Sequence, residues 1–159
     1  RQAASANNAG GNNNQNNNFN SGLILLVEDD PFLSSVLQLK LGKENFKVIR
    51  ASDGEEALDI LMNQGVKPDL ILLDLILPKK NGFEVLVTIR QDPVLEQLPV
   101  IVISNLGQPS DVERGKSLGV IDYYVKAKFS IDELVRKVKE ELLKLKPMVA
   151  QNSISKPIN

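Results

Sequence analysis

Three segments of this 159-residue chain are apolar at every position: Leu23–Val27 (LILLV), Leu70–Leu73 (LILL) and, after a proline, the VIVI of Pro99–Ile103. A strand with one face in water alternates apolar and polar residues. A run this short and wholly apolar is a strand covered on both faces, which is the situation of a parallel sheet between helical layers. The segments between the runs read as helices. Asp30-Pro31 is an N-cap followed by proline at the first helical position. Phe32, Val36, Leu37 and Leu39 to Leu41 then form a helical stripe. Phe46–Arg50 is a short strand. Asp53-Gly54-Glu55-Glu56 opens a second helix that turns Ala57, Leu58, Leu61 and Met62 inward and ends at Gly65. A loop from Asp74 to Gly82 leads into a third helix, about Phe83 to Arg90. Asp111–Leu118 is a weakly amphipathic fourth helix that stops at Gly119, and Ile121–Val125 is the fifth strand. Ile131–Leu145 is the last helix, with Leu134, Val135, Val138, Leu142 and Leu145 at helical spacing, and Pro147 closes it. The alternation βαβαβαβαβα predicts an α/β fold, a doubly wound parallel sheet with right-handed crossovers.

Composition sets the limits of this unit. Residues 1–22 contain nine Asn and one aromatic, Phe19, and are expected to be a disordered head, a linker or a cloning remnant, with an Asn-rich assembly tail as the alternative. Residues 147–159 carry no periodicity and are expected to form a flexible tail. The predicted domain is therefore 23–146. Composition also removes whole classes of chemistry. There is no Cys and no His, so disulfides, thiolate or imidazole metal sites and histidine acid–base catalysis are excluded. Nineteen Lys+Arg against twenty Asp+Glu leave no basic excess for neutralising nucleic-acid phosphates, and no direct nucleic-acid binding is expected. No apolar run approaches a membrane span and no signal-peptide pattern is visible, so a soluble, cytoplasmic protein without membrane contact is expected.

In a doubly wound sheet, ligands bind beyond the carboxyl ends of the strands. Glu28 and Asp29 follow the first strand, Asp74 the third, Ser104 the fourth and Lys126 the fifth. Each alone is an ordinary cap, turn former or solvated side chain. Together they bring three acids, a hydroxyl and an amine to one rim. Carboxylates ~4 Å apart repel by roughly 4 kcal/mol per pair at an effective dielectric near 20. Such a cluster raises a pKa or recruits a cation. With only oxygen donors available, that cation is a hard one, Mg²⁺ rather than Zn²⁺, and Mg²⁺ commonly works with phosphate oxygens. One carboxylate can then attack phosphorus, while Lys126 and Ser104 receive the phosphoryl oxygens.

These residues carry a family resemblance. LLVEDD (Leu25–Asp30), LILLDLILPKKNGFEVL (Leu70–Leu86), PVIVISN (Pro99–Asn105) and DYYVKA (Asp122–Ala127) resemble the receiver domain of two-component response regulators over nearly the whole predicted core. The resemblance implies a flavodoxin-like (βα)5 sheet in strand order 2-1-3-4-5. It implies that Asp74 accepts a phosphoryl group from a sensor histidine kinase or a histidine phosphotransfer protein. It gives Mg²⁺, or Mn²⁺, as the cofactor, held by Glu28, Asp29, Asp74 and the backbone carbonyl of Ile76. Asp29 binds it directly and Glu28 mainly through water. Ser104 becomes the switch hydroxyl, Lys126 the phosphoryl-binding lysine, and Tyr123 the aromatic that turns inward when Ser104 engages. The output is a downstream protein met at the face of the fourth helix, fifth strand and fifth helix, by a monomer or a phosphorylation-dependent dimer. On this reading the chain is a stand-alone receiver or one cut from a larger hybrid protein, a signalling switch rather than an enzyme, catalysing only its own phosphotransfer and slow dephosphorylation.

The chain departs from the family pattern in places. Ala127 stands where a proline with a cis peptide is usual, so the loop is either trans and reshaped or strained. Asn105 is larger than the usual Ala or Gly. Ile76 and Leu106 flank the expected path of a hydrolytic water and cannot orient it by hydrogen bonding. Three other readings compete. A flavodoxin-like cofactor binder needs a Ser/Thr/Gly-rich phosphate loop, whereas Glu28-Asp29-Asp30 repels phosphate. A haloacid-dehalogenase-type phosphatase needs a second Asp where Ile76 stands. A pseudo-receiver, a scaffold that binds partners without phosphotransfer, would have lost one or more of the five rim residues. The lysines of the last helix, Lys137, Lys139, Lys144 and Lys146, read as a solvated face paired with Glu133, Glu140 and Glu141.

Overall fold

The computed structural model describes residues 22–154, with side chains through Leu145. Five strands, β1 (Leu23–Val27), β2 (Lys47–Ala51), β3 (Leu70–Leu73), β4 (Val100–Ser104) and β5 (Asp122–Val125), form one sheet in the order β2-β1-β3-β4-β5. All four pairings are parallel. The helices α1 (Pro31–Lys43), α2 (Gly54–Leu58), α3 (Gly82–Gln91), α4 (Pro109–Ser117) and α5 (Ile131–Ile154) supply the crossovers.

The apolar strands are buried on both faces, as their sequences predict. Ile24, Leu26, Leu70, Leu72 and Ile101 face α1 and α5. Leu25, Val27, Ile71, Leu73 and Val102 face the layer that contains α3. Register holds the carboxyl ends of the strands level: Val27 lies beside Ala51 and Leu73, Leu73 beside Val102, and Ser104 beside Val125. The residues that leave these ends therefore meet on one rim.

Local signals start the helices. Asp30 Oδ1 accepts from the Phe32 and Leu33 amides, with Pro31 at the first helical position. Asn81 and Glu84 form a reciprocal capping box at α3, and Ser130 and Glu133 do so at α5.

Two expectations change. The second helix does not stay in α register: Asp59–Asn63 form a π turn, with the Gln64 amide on the Asp59 carbonyl at 3.0 Å. A π turn inserts a residue into the helical repeat, so the inward face becomes Ala57, Leu58, Ile60 and Leu61, while Met62 is 48% exposed. The last helix does not stop at Pro147 but runs to Ile154. Proline lacks one N–H and so removes one intrahelical bond, while the strong helix formers on both sides keep the backbone helical. The expected tail therefore starts with helix over 147–154. The rest of it, 155–159, and the expected head, apart from Gly22, lie outside the described residues.

Candidate functional site

The rim gathers the five predicted residues. Glu28 and Ser104 are fully buried, Asp74 is nearly so, and Asp29 is exposed. Lys126 Nζ donates to Asp74 Oδ2 at 2.8 Å and lies 2.9 Å from Glu28 Oε2. Backbone amides hold the other carboxylate oxygens. Asp30 N–H donates to Glu28 Oε1 at 3.1 Å, and Ile76 N–H donates to Asp74 Oδ1 at 3.1 Å. Both contacts span two residues, so each strand end curls back on its own acid. Asp30, third in the acidic triplet, is occupied as the cap of α1.

Electrostatics follow from this packing. Burial pushes the Glu28 carboxyl above its ordinary range; the Lys126 contact pulls it down, and the neighbouring charge of Asp74 adds to the rise. Burial alone would lower Lys126, but its bonds to Asp74 and Glu28 hold it above the usual lysine value. The ammonium stays charged between the two acids.

A divalent cation fits this site. One oxygen each of Glu28, Asp29 and Asp74 lies within 4.8 Å of the others. Three carboxylates face one ammonium. Buried Glu28 Oε2 lies close to Lys126 but has no aligned hydrogen-bond donor. An all-oxygen set with residual negative charge and an exposed member suits a hard ion that keeps part of its water.

Ser104 and Tyr123 join this centre through one loop residue. Leu106 N–H donates to Ser104 Oγ at 3.3 Å, and Tyr123 Oη donates to the Leu106 carbonyl at 2.6 Å. Tyr123 is 7% exposed, so its ring is packed inward rather than lying on the sheet edge. Burial, then the charges of Asp111 and Asp74, push its phenol up to about 12. The peptides of the described residues are all trans, Lys126–Ala127 included, and Lys126–Lys128 form a 3₁₀ turn. Ala127 is thus accommodated by a trans loop. The Leu106 side chain is partly buried, and Ile76 is half exposed beside Asp74.

Two contributors were not visible in the sequence. The Leu106 backbone links a hydroxyl to a phenol 17 and 19 positions further along the chain, and nothing in a leucine signals that. Gly82 is the other. A Cβ there would lie 2.3 Å from the Asp74 carbonyl oxygen, so only glycine lets α3 start against the Asp74 loop. The pair Asn81-Gly82 reads as turn chemistry; the carbonyl beside it appears only in the fold.

The last-helix lysines are in part paired as predicted. Lys137 and Lys144 each lie 3.2 Å from Glu141. Lys139 instead reaches Glu44, just past the end of α1, at 2.8 Å.

Comparison with known proteins agrees with this geometry. The family model described as the response regulator receiver domain matches residues 24–139. The transcriptional regulatory protein CpxR of Escherichia coli K12 is 44% identical over 116 residues, covering 73% of this chain and 47% of that protein. The phosphate regulon regulator PhoB of Rhizobium meliloti is 40% identical over 126 residues, covering 79% and 54%. The chain thus spans about half the length of the curated relatives it matches. Among solved structures, the Mn²⁺-bound form of response regulator Rcp1 superposes with a TM-score of 0.66 at 35% identity, over 75% of this chain and 90% of that one. The phosphorylated cyanobacterial phytochrome response regulator RcpA gives 0.66 at 36% identity, over 75% and 89%. A level parallel sheet, an acid–lysine rim at its carboxyl edge and these likenesses lead to one assignment: the chain belongs to the receiver-domain family of two-component response regulators.

Proposed function

We propose that Asp74 is a phosphoacceptor and that the domain is a Mg²⁺-dependent phosphorylation switch. The observation that supports it best is the Asp74 carboxylate, buried yet held between the Ile76 amide and the Lys126 ammonium. A phosphohistidine on a sensor kinase or phosphotransfer protein is the donor. One Asp74 oxygen attacks phosphorus, a P–O bond forms, and the P–N bond to the donor imidazole breaks. Glu28, Asp29, Asp74 and the Ile76 carbonyl are the groups proposed to hold the cation, which when bound supplies charge neutralisation at the phosphoryl oxygens.

The chain's own residues do the rest. Lys126 moves its ammonium from the carboxylate pair to a phosphoryl oxygen. Ser104, whose hydroxyl proton is free of the Leu106 contact, donates to another. The aspartyl phosphate carries about −1.5 to −2 charge in place of the carboxylate's single negative charge. Tyr123 and Leu106 carry the change towards α4, β5 and α5, the face proposed for a downstream protein. A shift from 1:99 to 99:1 needs about 5.5 kcal/mol of differential contact. One lysine contact and one hydroxyl bond supply part of that, so a binding partner completes the switch. A phosphorylation-independent scaffold is not supported, since all five rim residues are kept, with Lys126 on Asp74 and Glu28 and the three acids clustered. Mn²⁺ in Rcp1 and the phosphate on RcpA support the reading by likeness.

Intact mass after incubation with acetyl phosphate and Mg²⁺ tests it. One added phosphoryl group, lost in Asp74→Ala and with chelator, is the expected result. No adduct from any small donor or kinase, with Mg²⁺ shown to bind, would return the scaffold reading.

A further inference from the structure

Gly115 is the buried residue of α4, and a glycine inside a helix costs stability relative to alanine. What it faces accounts for it. A Cβ at Gly115 would lie 3.0 Å from Tyr123 Cδ2 and 3.3 Å from Cε2. The ring is packed against the bare backbone of the helix. The two partners differ in how firmly they are held. Arg90 ties the end of α4 to α3: its Nε donates to the Leu118 carbonyl at 2.7 Å and Nη2 to Gly119 at 3.2 Å. Its Nη1 reaches the Glu96 and Leu98 carbonyls, both at 2.8 Å. Arg114, next to Gly115, lies 4.1 Å from the centre of the Phe83 ring on α3. The helix is therefore fastened on both sides of Gly115. Tyr123 is held only by packing and by its hydroxyl on the Leu106 carbonyl. A methyl group at 115 displaces the ring, not the helix.

We propose that Gly115 is a positioning residue of the switch: the patch of α4 it leaves bare is the seat of the Tyr123 ring, and through that ring it fixes the Leu106 backbone that contacts the Ser104 hydroxyl. Its regulatory meaning rests on the phosphoacceptor reading of the rim; the seat itself does not. Filling the seat obliges the ring to give by a few tenths of an ångström, which weakens its bond to Leu106 and loosens the loop beside Ser104.

The chain has two tyrosines and no tryptophan. In a Tyr124→Phe background, fluorescence therefore reports Tyr123 alone. Gly115→Ala in that background is expected to raise acrylamide quenching at least about twofold and to speed amide exchange at Leu106 about tenfold or more. It is also expected to lower the urea midpoint, although alanine is the better helix former. In a Tyr123→Val background the same substitution is expected to raise the midpoint, because the smaller side chain leaves room for the methyl group. Should Gly115→Ala fail to fold with Tyr123 present, folding restored by Tyr123→Val supports the seat, and folding not restored overturns it. Unchanged quenching, unchanged exchange at Leu106, or a raised midpoint with Tyr123 in place would each overturn the proposal. These readouts use the unphosphorylated protein, so a chain that took no phosphate would leave them intact.

Discussion

Ile76 and Leu106 contribute to the site with their amides and fill its approach with their side chains. Ile76 N–H holds Asp74, and Leu106 N–H holds the Ser104 hydroxyl. Neither side chain offers a donor or acceptor to a water approaching a phosphoryl group on Asp74. If Asp74 is phosphorylated as proposed, slow loss of phosphate is the expected outcome. Ile76→Asn combined with Leu106→Glu adds groups that can orient water, and the phosphoprotein half-life is expected to shorten by at least about tenfold. Equal decay of wild type and variant, followed by phosphate release, would remove these residues from the timing of the switch. Asp53 acts at the same scale on stability. Its Oδ1 accepts from the Glu56 amide at 2.8 Å, and Lys79 lies 3.3 Å from Oδ2. The amide bond first, and Lys79 after it, hold the carboxyl below its ordinary range. A lowered acid stabilises fully above its unfolded pKa, and the contribution fades as pH falls through the folded one. Asp53→Ala is expected to cost about 1 kcal/mol at pH 7. In urea titrations the gap should narrow below about pH 4, the ordinary carboxylate value. A gap as wide at pH 3 as at pH 7 would count against an ionised cap.

At the scale of elements, the π turn after α2 makes a sharp distinction between apolar residues two positions apart. Ile60 is buried and Met62 is half exposed, the reverse of an uninterrupted α repeat for Met62. Ile60→Ala is expected to cost about 2–5 kcal/mol in denaturant unfolding, while Met62→Ala stays within about 0.5 kcal/mol. Comparable losses from both would restore the α register. This contrast also shows what the sequence can carry. The strands were legible because LILLV, LILL and VIVI are apolar throughout, and a doubly covered strand permits nothing else. The starts of α1 and α2 are legible because Asp30 and Asp53 are caps with local partners, whereas the Asn81 cap of α3 lies in what the sequence reads as loop. The five rim residues are legible because each stands at the end of a strand or within two residues of it. Asp59–Asn63 carry no signature of a π turn, since its cause is the fit of a short helix to the sheet. Pro147 was read by a local rule that its helix-forming neighbours override. Gly82 and Gly115 have meaning only through atoms more than seven residues away, and local pattern does not reach that far.

For the whole molecule, the rim concentrates charge where the sheet is otherwise closed. Beneath Glu28 and Asp74 lie Val27, Leu73 and Val102, all fully buried, so the acids cannot relax inward. Lys126 lies 2.9 Å from Glu28 and 2.8 Å from Asp74, and the Asp29 carboxylate adds a third negative charge to the cluster. Folding therefore assembles a repulsion that the unfolded chain does not have. A divalent ion that binds only the assembled rim stabilises the fold by RT ln(1 + [L]/Kd), about 2.7 kcal/mol at a hundredfold excess over Kd. For a domain of this size that corresponds to a rise in Tm of roughly 5–15 °C. Millimolar Mg²⁺ is expected to produce such a rise, scaling with the logarithm of its concentration, and Na⁺ at equal ionic strength is not. Asp29→Asn is the discriminating variant. Asp29 is exposed, so its loss disturbs packing little but removes a proposed ligand on the open side of the cluster. Its Tm without Mg²⁺ should match or exceed wild type, because one repelling charge is gone, while its response to Mg²⁺ should largely vanish. A Mg²⁺ response that survives in Asp29→Asn would place the ion elsewhere on the molecule and separate the acidic rim from metal binding.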